Sequence, residues 1–139
     1  DYTREIRYEY PLLLEDKSIQ LWSYNLETIL AEKIQTILSR GLLNTRMRDF
    51  YDVTTLFDRY NDQINYNDLS LAFDKTCRKR ETLSLLEHYE EILCSISEDS
   101  TLQNLWKNYC RKYKYASHIE FSTNLEIIKQ LMSQMLEIE

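Results

Sequence analysis

From Leu26 to Tyr60, apolar residues recur at three- and four-residue steps, the spacing of one face of an α-helix. Leu26, Ile29, Leu30, Ile34, Ile37 and Leu38 make a first stripe, and Phe50, Val53, Leu56, Phe57 and Tyr60 a second. Gly41, the single glycine of the chain, stands between them, where a helix stop calls for a residue tolerant of left-handed backbone. The two stretches predict a helical hairpin with antiparallel arms. Charges interrupt both stripes. Lys33 falls inside the first and Arg40 at its edge, while Glu32 and Gln35 are expected on the other side. Asp49 falls inside the second and Asp52 at its margin, one turn apart on one face. Lys33 and Asp52 each lie roughly 10 Å along their helices from the hairpin end, so the lysine and both aspartates are expected to meet, facing a cleft.

Withdrawing a lysine and a carboxylate from water costs several kcal/mol each, and an apolar pair of similar volume would hold the hairpin as well or better. Their retention suggests a site. The alternative is an internal ion pair that fixes the register of the hairpin, and the pattern leaves both readings open.

Outside the hairpin, residues 3–14 alternate loosely and Ile19–Tyr24 is a second apolar-aromatic run, so both are expected as strands, the first an edge or a bulge because of Pro11. Two strands make no stable sheet alone. With no initiating methionine before Asp1, the expectation is that residues 1–25 complete a sheet lying upstream and that 26–139 form a helical domain. A helix is predicted from about Asp68 to Arg80, capped within 65–67 and ending in Arg78-Lys79-Arg80, cations that a helix C-terminus favours by itself. Leu83, Leu86, Tyr89, Ile92, Leu93 and Ile96 mark the next, closed by the polar residues 97–101. Leu102, Leu105, Trp106, Tyr109, Cys110 and Tyr113 mark a fifth. Its end, Arg111-Lys112-Tyr113-Lys114-Tyr115, interleaves cations with aromatics, either to stack on bases and neutralise phosphates or as a solvated helix end with snorkelling lysines. Thr123 and Glu126 have capping-box spacing for the last helix, whose face of Leu125, Ile128, Leu131, Met132, Met135 and Leu136 is core in the simplest reading and a dimer seam in the other. The fold class is mainly α: a bundle of about six helices after two short β-strands.

Composition agrees. One proline and one glycine in 139 residues leave little material for hairpin turns or phosphate-cradling loops. A net charge of -6 disfavours non-specific adhesion of the whole surface to nucleic acid, though not through a local basic patch. No apolar run reaches a membrane span, and no signal-peptide pattern is present. Cys77, Cys94 and Cys110 form no Cys-x-x-Cys pair and are expected as free thiols in the cytoplasm, and His88 and His118 are too scattered for a metal cluster.

The residues Glu27-x-x-x-Ala31-Glu32-Lys33, then Arg40, then Arg46-Met47-Arg48-Asp49-Phe50-Tyr51-Asp52-Val53 resemble the AbiEii/AbiGii toxin family of bacterial nucleotidyltransferases. Trp106-x-x-Tyr109, Tyr115-Ala116 and Glu120-Phe121 resemble its C-terminal region more loosely, so the likeness runs from about Tyr10 onward. The resemblance implies the C-terminal part of a polymerase-β-like nucleotidyltransferase that uses Mg²⁺ and a nucleoside triphosphate, with Lys33 on the triphosphate, Asp49 as the acidic residue of the later motif, and Arg40, Arg48 and Asp52 in support. The family's Gly-Gly/Ser turn and metal-holding Asp-x-Asp pair are not in this sequence, so no metal ligand is assigned and the chain alone is expected to transfer no nucleotide. A cognate antitoxin and an RNA acceptor, tRNA among them, or a protein acceptor are implied as partners. The competing readings are a non-catalytic helical module that binds RNA through Arg78–Arg80 and 111–115, or binds protein, and a purely structural helical domain.

Overall fold

The first apolar stripe forms the longest helix, α1, Ile19–Arg40. The computed structural model describes the backbone of residues 19–137 and the side chains of residues 26–137. Ile19–Tyr24, expected as a strand, is the opening of α1. Ile19, Trp22 and Leu26 already carry the three- and four-residue step, and a six-residue run is too short for a period of two to outweigh it. The other expected strand, within 3–14, lies outside the described residues. Five further α-helices follow: α2, Met47–Tyr60; α3, Tyr66–Lys79; α4, Leu85–Glu98; α5, Ser100–Lys112; and α6, Phe121–Glu137. Short 3-10 turns follow α1, α2 and α5.

Gly41 has a φ of +52°, the left-handed conformation that ends α1, and the Asn44 amide donates to its carbonyl. The chain then returns as α2. α1 packs against α2, α3 and α4, and α6 closes the bundle against α2, α3 and α4. Being covered on both flanks, α1 buries Ala31 and Gln35 along with the expected stripe. Gln35 does not face outward as its place on the helix suggested. Its Nε2 donates to Thr82 Oγ1 at 3.1 Å and its Oε1 accepts from the Arg80 guanidinium, which also donates to Thr36 Oγ1 at 3.3 Å.

The Asn65 side chain caps α3 by accepting from the Asp68 amide at 3.0 Å, and Glu27 on α1 accepts from the Asn65 amide at 2.8 Å. The first acid of the α1 motif thus ties α1 to the start of α3. α6 begins two residues before Thr123, so the Thr123–Glu126 pair lies inside the helix and not at its cap. Its start is set by packing: Trp106 Nε1 donates to the Ile119 carbonyl at 2.9 Å, and the Phe121 ring meets Phe50 edge-on at 5.2 Å. The apolar face of α6 is core, with Ile128, Leu131 and Met132 fully buried inside the single chain.

At the end of α3, Glu81 holds a φ of +58°, and the Thr82 amide donates to the Cys77 carbonyl at 2.8 Å. That is a left-handed helix stop at a residue whose Cβ opposes it. Glu81→Gly is expected to raise the unfolding free energy by about 0.5–1 kcal/mol, measured as a higher urea midpoint at unchanged slope.

Candidate functional site

Lys33 projects from the middle of α1 toward the first turns of α2. Its Nζ lies 2.7 Å from Asp52 Oδ2 and 3.6 Å from Asp49 Oδ1, so the structure brings together the three residues that the interrupted stripes singled out. Asp52, expected at the margin, is the closer partner and the more deeply buried of the two acids. The Lys33 side chain keeps 12 % exposure against 5 % and 2 % for Asp49 and Asp52. Two arginines complete the charge set from the outside: Arg46 Nε lies 3.8 Å from Asp49 Oδ1, and Arg48 Nε lies 3.7 Å from Asp52 Oδ1. Arg40 is not part of the cluster. It ends α1, exposed, and makes no ion pair or hydrogen bond with a described residue.

The local sequence explains the placement. Asn44, fully buried in the turn, accepts from the Arg46 amide at 3.3 Å and sets the approach to α2. Asp49 stands in the first turn of α2, where the helix dipole favours an anion. Phe50 and Val53, both fully buried, hold that turn against the core. A buried hydrogen bond from Thr54 Oγ1 to Asn124 Oδ1 locks α2 to α6.

The cluster is incompletely satisfied. Asp49 Oδ2 is buried and accepts no hydrogen bond, while its Oδ1 has only the two longer ion pairs. An ion pair retained for stability alone would be expected to fill its acceptor positions, because a half-satisfied buried network is worse than an apolar core. The two nearby guanidinium groups and the ammonium seated on both carboxylates also make this a poor place for Mg²⁺. Among the described residues no three of His, Cys, Asp and Glu gather as ligands. The described residues do not fit the metal half of a nucleotidyl-transfer site.

Aromatic residues from α2, α5 and the following turn lie beside the charges. Tyr51 and Tyr115 rings are 4.8 Å apart, and Tyr109 stacks on Trp106 at 5.4 Å. The Tyr109 and Tyr115 hydroxyls are 3.1 Å apart. Burial, first, pushes the Tyr109 hydroxyl well above the usual tyrosine range. Tyr115 adds to the shift and so does the Asp52 carboxylate, with Arg48 opposing. Tyr109 and Tyr115 therefore adjoin the cluster, a tertiary convergence to which only the loose Trp106-x-x-Tyr109 and Tyr115-Ala116 matches gave a signal.

A cavity of ≈ 560 Å³ lies between α5 and the start of α6, lined by Trp106, Lys107, Cys110 and Arg111 among others, and another of ≈ 440 Å³ lies between Tyr51, Tyr115 and the middle of α2. Neither includes Lys33, Asp49 or Asp52. The expected cleft is not formed by these cavities, and the cluster sits in the hairpin with the lysine as its exposed member. Of the basic residues ending α3, Arg78 pairs with Asp74 at 2.8 Å and Arg80 is bound to α1, so two of the three are committed inside the protein. No helix among the described residues is long and apolar enough to cross a membrane.

In comparison with known proteins, the family model described as nucleotidyl transferase AbiEii toxin, type IV TA system, matches residues 2–126. No curated protein and no solved structure matches the chain.

Proposed function

The chain belongs to the AbiEii nucleotidyl transferase toxin family, and from that premise we propose that the Lys33–Asp52–Asp49 cluster is the phosphate-facing part of a nucleotidyl-transfer site. The observation that carries the reading is a half-buried ammonium held between two buried aspartates, with Asp49 Oδ2 accepting no hydrogen bond. Such an arrangement is poor as a structural device and apt as a poised one. Lys33 is kept extended by Asp52 until a triphosphate arrives, then turns its point charge to the phosphates. Asp49 and Asp52 pass to Arg46 and Arg48, which already lie within 4 Å of them. Nucleotidyl transfer depends on positioning and on neutralising the charge that gathers on the phosphoryl oxygens, which is what a preorganised lysine supplies.

The reaction is transfer of a nucleoside monophosphate from a nucleoside triphosphate to an RNA or protein acceptor. It takes place in the cytoplasm, under the control of the antitoxin that a type IV toxin–antitoxin family implies, in growth arrest or phage defence. Mg²⁺, when bound, supplies charge neutralisation at the phosphates, and the family's Asp-x-Asp pair is where it belongs. In this chain alone, incubated with labelled nucleoside triphosphates, Mg²⁺ and RNA, no label is expected to enter the acceptor. In a protein that joins this chain to the Gly-Ser and Asp-x-Asp motifs, label is expected. Failure of the joined protein over all four nucleotides, with both RNA and protein acceptors, would overturn the reading, as would transfer by the chain alone.

A further inference from the structure

From residue 100 to 119 the chain carries four lysine and arginine residues, Lys107, Arg111, Lys112 and Lys114, and no aspartate or glutamate, although its net charge is -6. All four are exposed, and none pairs with a described carboxylate, in contrast with Arg46, Arg48 and Arg78. A helix dipole accounts for cations in the last turn of α5, but not for Lys114 beyond it or for the lack of acids over twenty residues. The same segment carries a cluster of rings. Tyr109 and Tyr113 are 4.8 Å apart, Tyr113 and Tyr115 5.4 Å, and Tyr115 reaches Tyr51 on α2. Tyr115 is 48 % exposed, unusual for a ring with such partners, and the Lys112 ammonium sits 5.4 Å from the centre of Tyr113.

Tyrosine rings held in place by one another and flanked by uncompensated cations suit a polyanion that carries flat apolar groups. A nucleic-acid duplex hides its base faces, and an acidic peptide has no use for the rings. We propose that the end of α5 and the turn after it form a platform for single-stranded nucleic acid, its bases stacking on Tyr113 and Tyr115 and its phosphates meeting Arg111, Lys112 and Lys114. Base–aromatic stacking is tolerant of sequence, and the cations track the backbone. Tyr115 packs on Tyr51, the residue before Asp52 on α2, so the platform lies on the side of α2 that carries the Lys33 cluster. As a route for the acceptor the platform rests on the proposed function; as a binding surface it stands without it.

The test is fluorescence anisotropy of the whole chain, without nucleotide, against labelled single-stranded RNA, single-stranded DNA of the same sequence and the corresponding duplex. Single strands are expected to bind more tightly than the duplex, with affinity falling as salt rises at a logarithmic slope of about -2 to -3, from roughly 0.7 per phosphate met. Tyr115→Ala is expected to weaken binding about tenfold at unchanged slope. The Lys112→Ala/Lys114→Ala pair, both residues exposed, is expected to reduce the slope by about 1.4 and keeps the test decisive if Tyr115→Ala does not fold. No binding, equal binding of the duplex, an unchanged slope in the lysine pair, or a polyglutamate peptide binding as tightly as RNA would each overturn the platform. Preference for RNA over DNA assigns the source of the strand. Binding retained in the joined protein, if that protein transfers no nucleotide to any acceptor, overturns the proposed function and leaves the platform standing.

Discussion

Asp52→Ala is expected to lower the unfolding free energy by about 3–5 kcal/mol, among the largest losses any single substitution in the hairpin should produce. The carboxylate is 2 % exposed and lies 2.7 Å from the Lys33 ammonium, so its removal leaves that charge largely buried beside the more distant Asp49. Removing both charges is different. Lys33→Met/Asp52→Leu replaces the pair with apolar side chains of similar size and leaves Asp49 with Arg46. Its stability is expected within about 1 kcal/mol of the parent, or above it, because the desolvation of both ions is no longer opposed to folding. Urea unfolding of the parent, the single and the double variant measures both effects. A double variant as unstable as Asp52→Ala would show that the ion pair holds the hairpin together and serves no other need.

Lys33→Ala, in the protein that carries the remaining family motifs, is expected to reduce nucleotide transfer by about 10²–10³-fold, the range found when one preorganised electrostatic contact to a transition state is removed. The loss should fall mainly on kcat, since the ammonium is worth most when charge gathers on the phosphates. Unfolding of the same variant must be measured beside it, because the substitution also leaves Asp49 and Asp52 without their shared cation. If the variant is folded at the assay temperature, loss of transfer belongs to chemistry; Lys33→Met gives a second variant with the stem retained. A folded variant with undiminished transfer would remove Lys33 from the site.

Much of the hairpin was legible because its signals are local. The stripes, the lone glycine and the charges that interrupt the stripes are statements about one helix at a time, and the geometry of a helix then carries Lys33 to Asp49 and Asp52. Which acid lies closer was not legible: both aspartates share a face, and the crossing of α1 and α2 decides between them. Gln35 was misplaced because a helical wheel assumes one buried face, whereas α1 is covered on two sides. Thr54 and Asn124, seventy residues apart, meet only once α6 is in place. Ile19–Tyr24 failed for another reason, being short and apolar enough to suit either period. The Tyr109–Tyr115 contact depends on a 3-10 turn after α5 that the alternation of cations and aromatics does not encode.

The account stands on the Lys33 cluster being kept for nucleotide chemistry and not for stability. The most direct measurement is nucleotide transfer by the Lys33→Met/Asp52→Leu variant of the protein carrying all the family motifs, once urea unfolding has shown it to be as stable as the parent. Transfer is expected to fall to background in a folded protein. Transfer at the parent's rate would contradict the account.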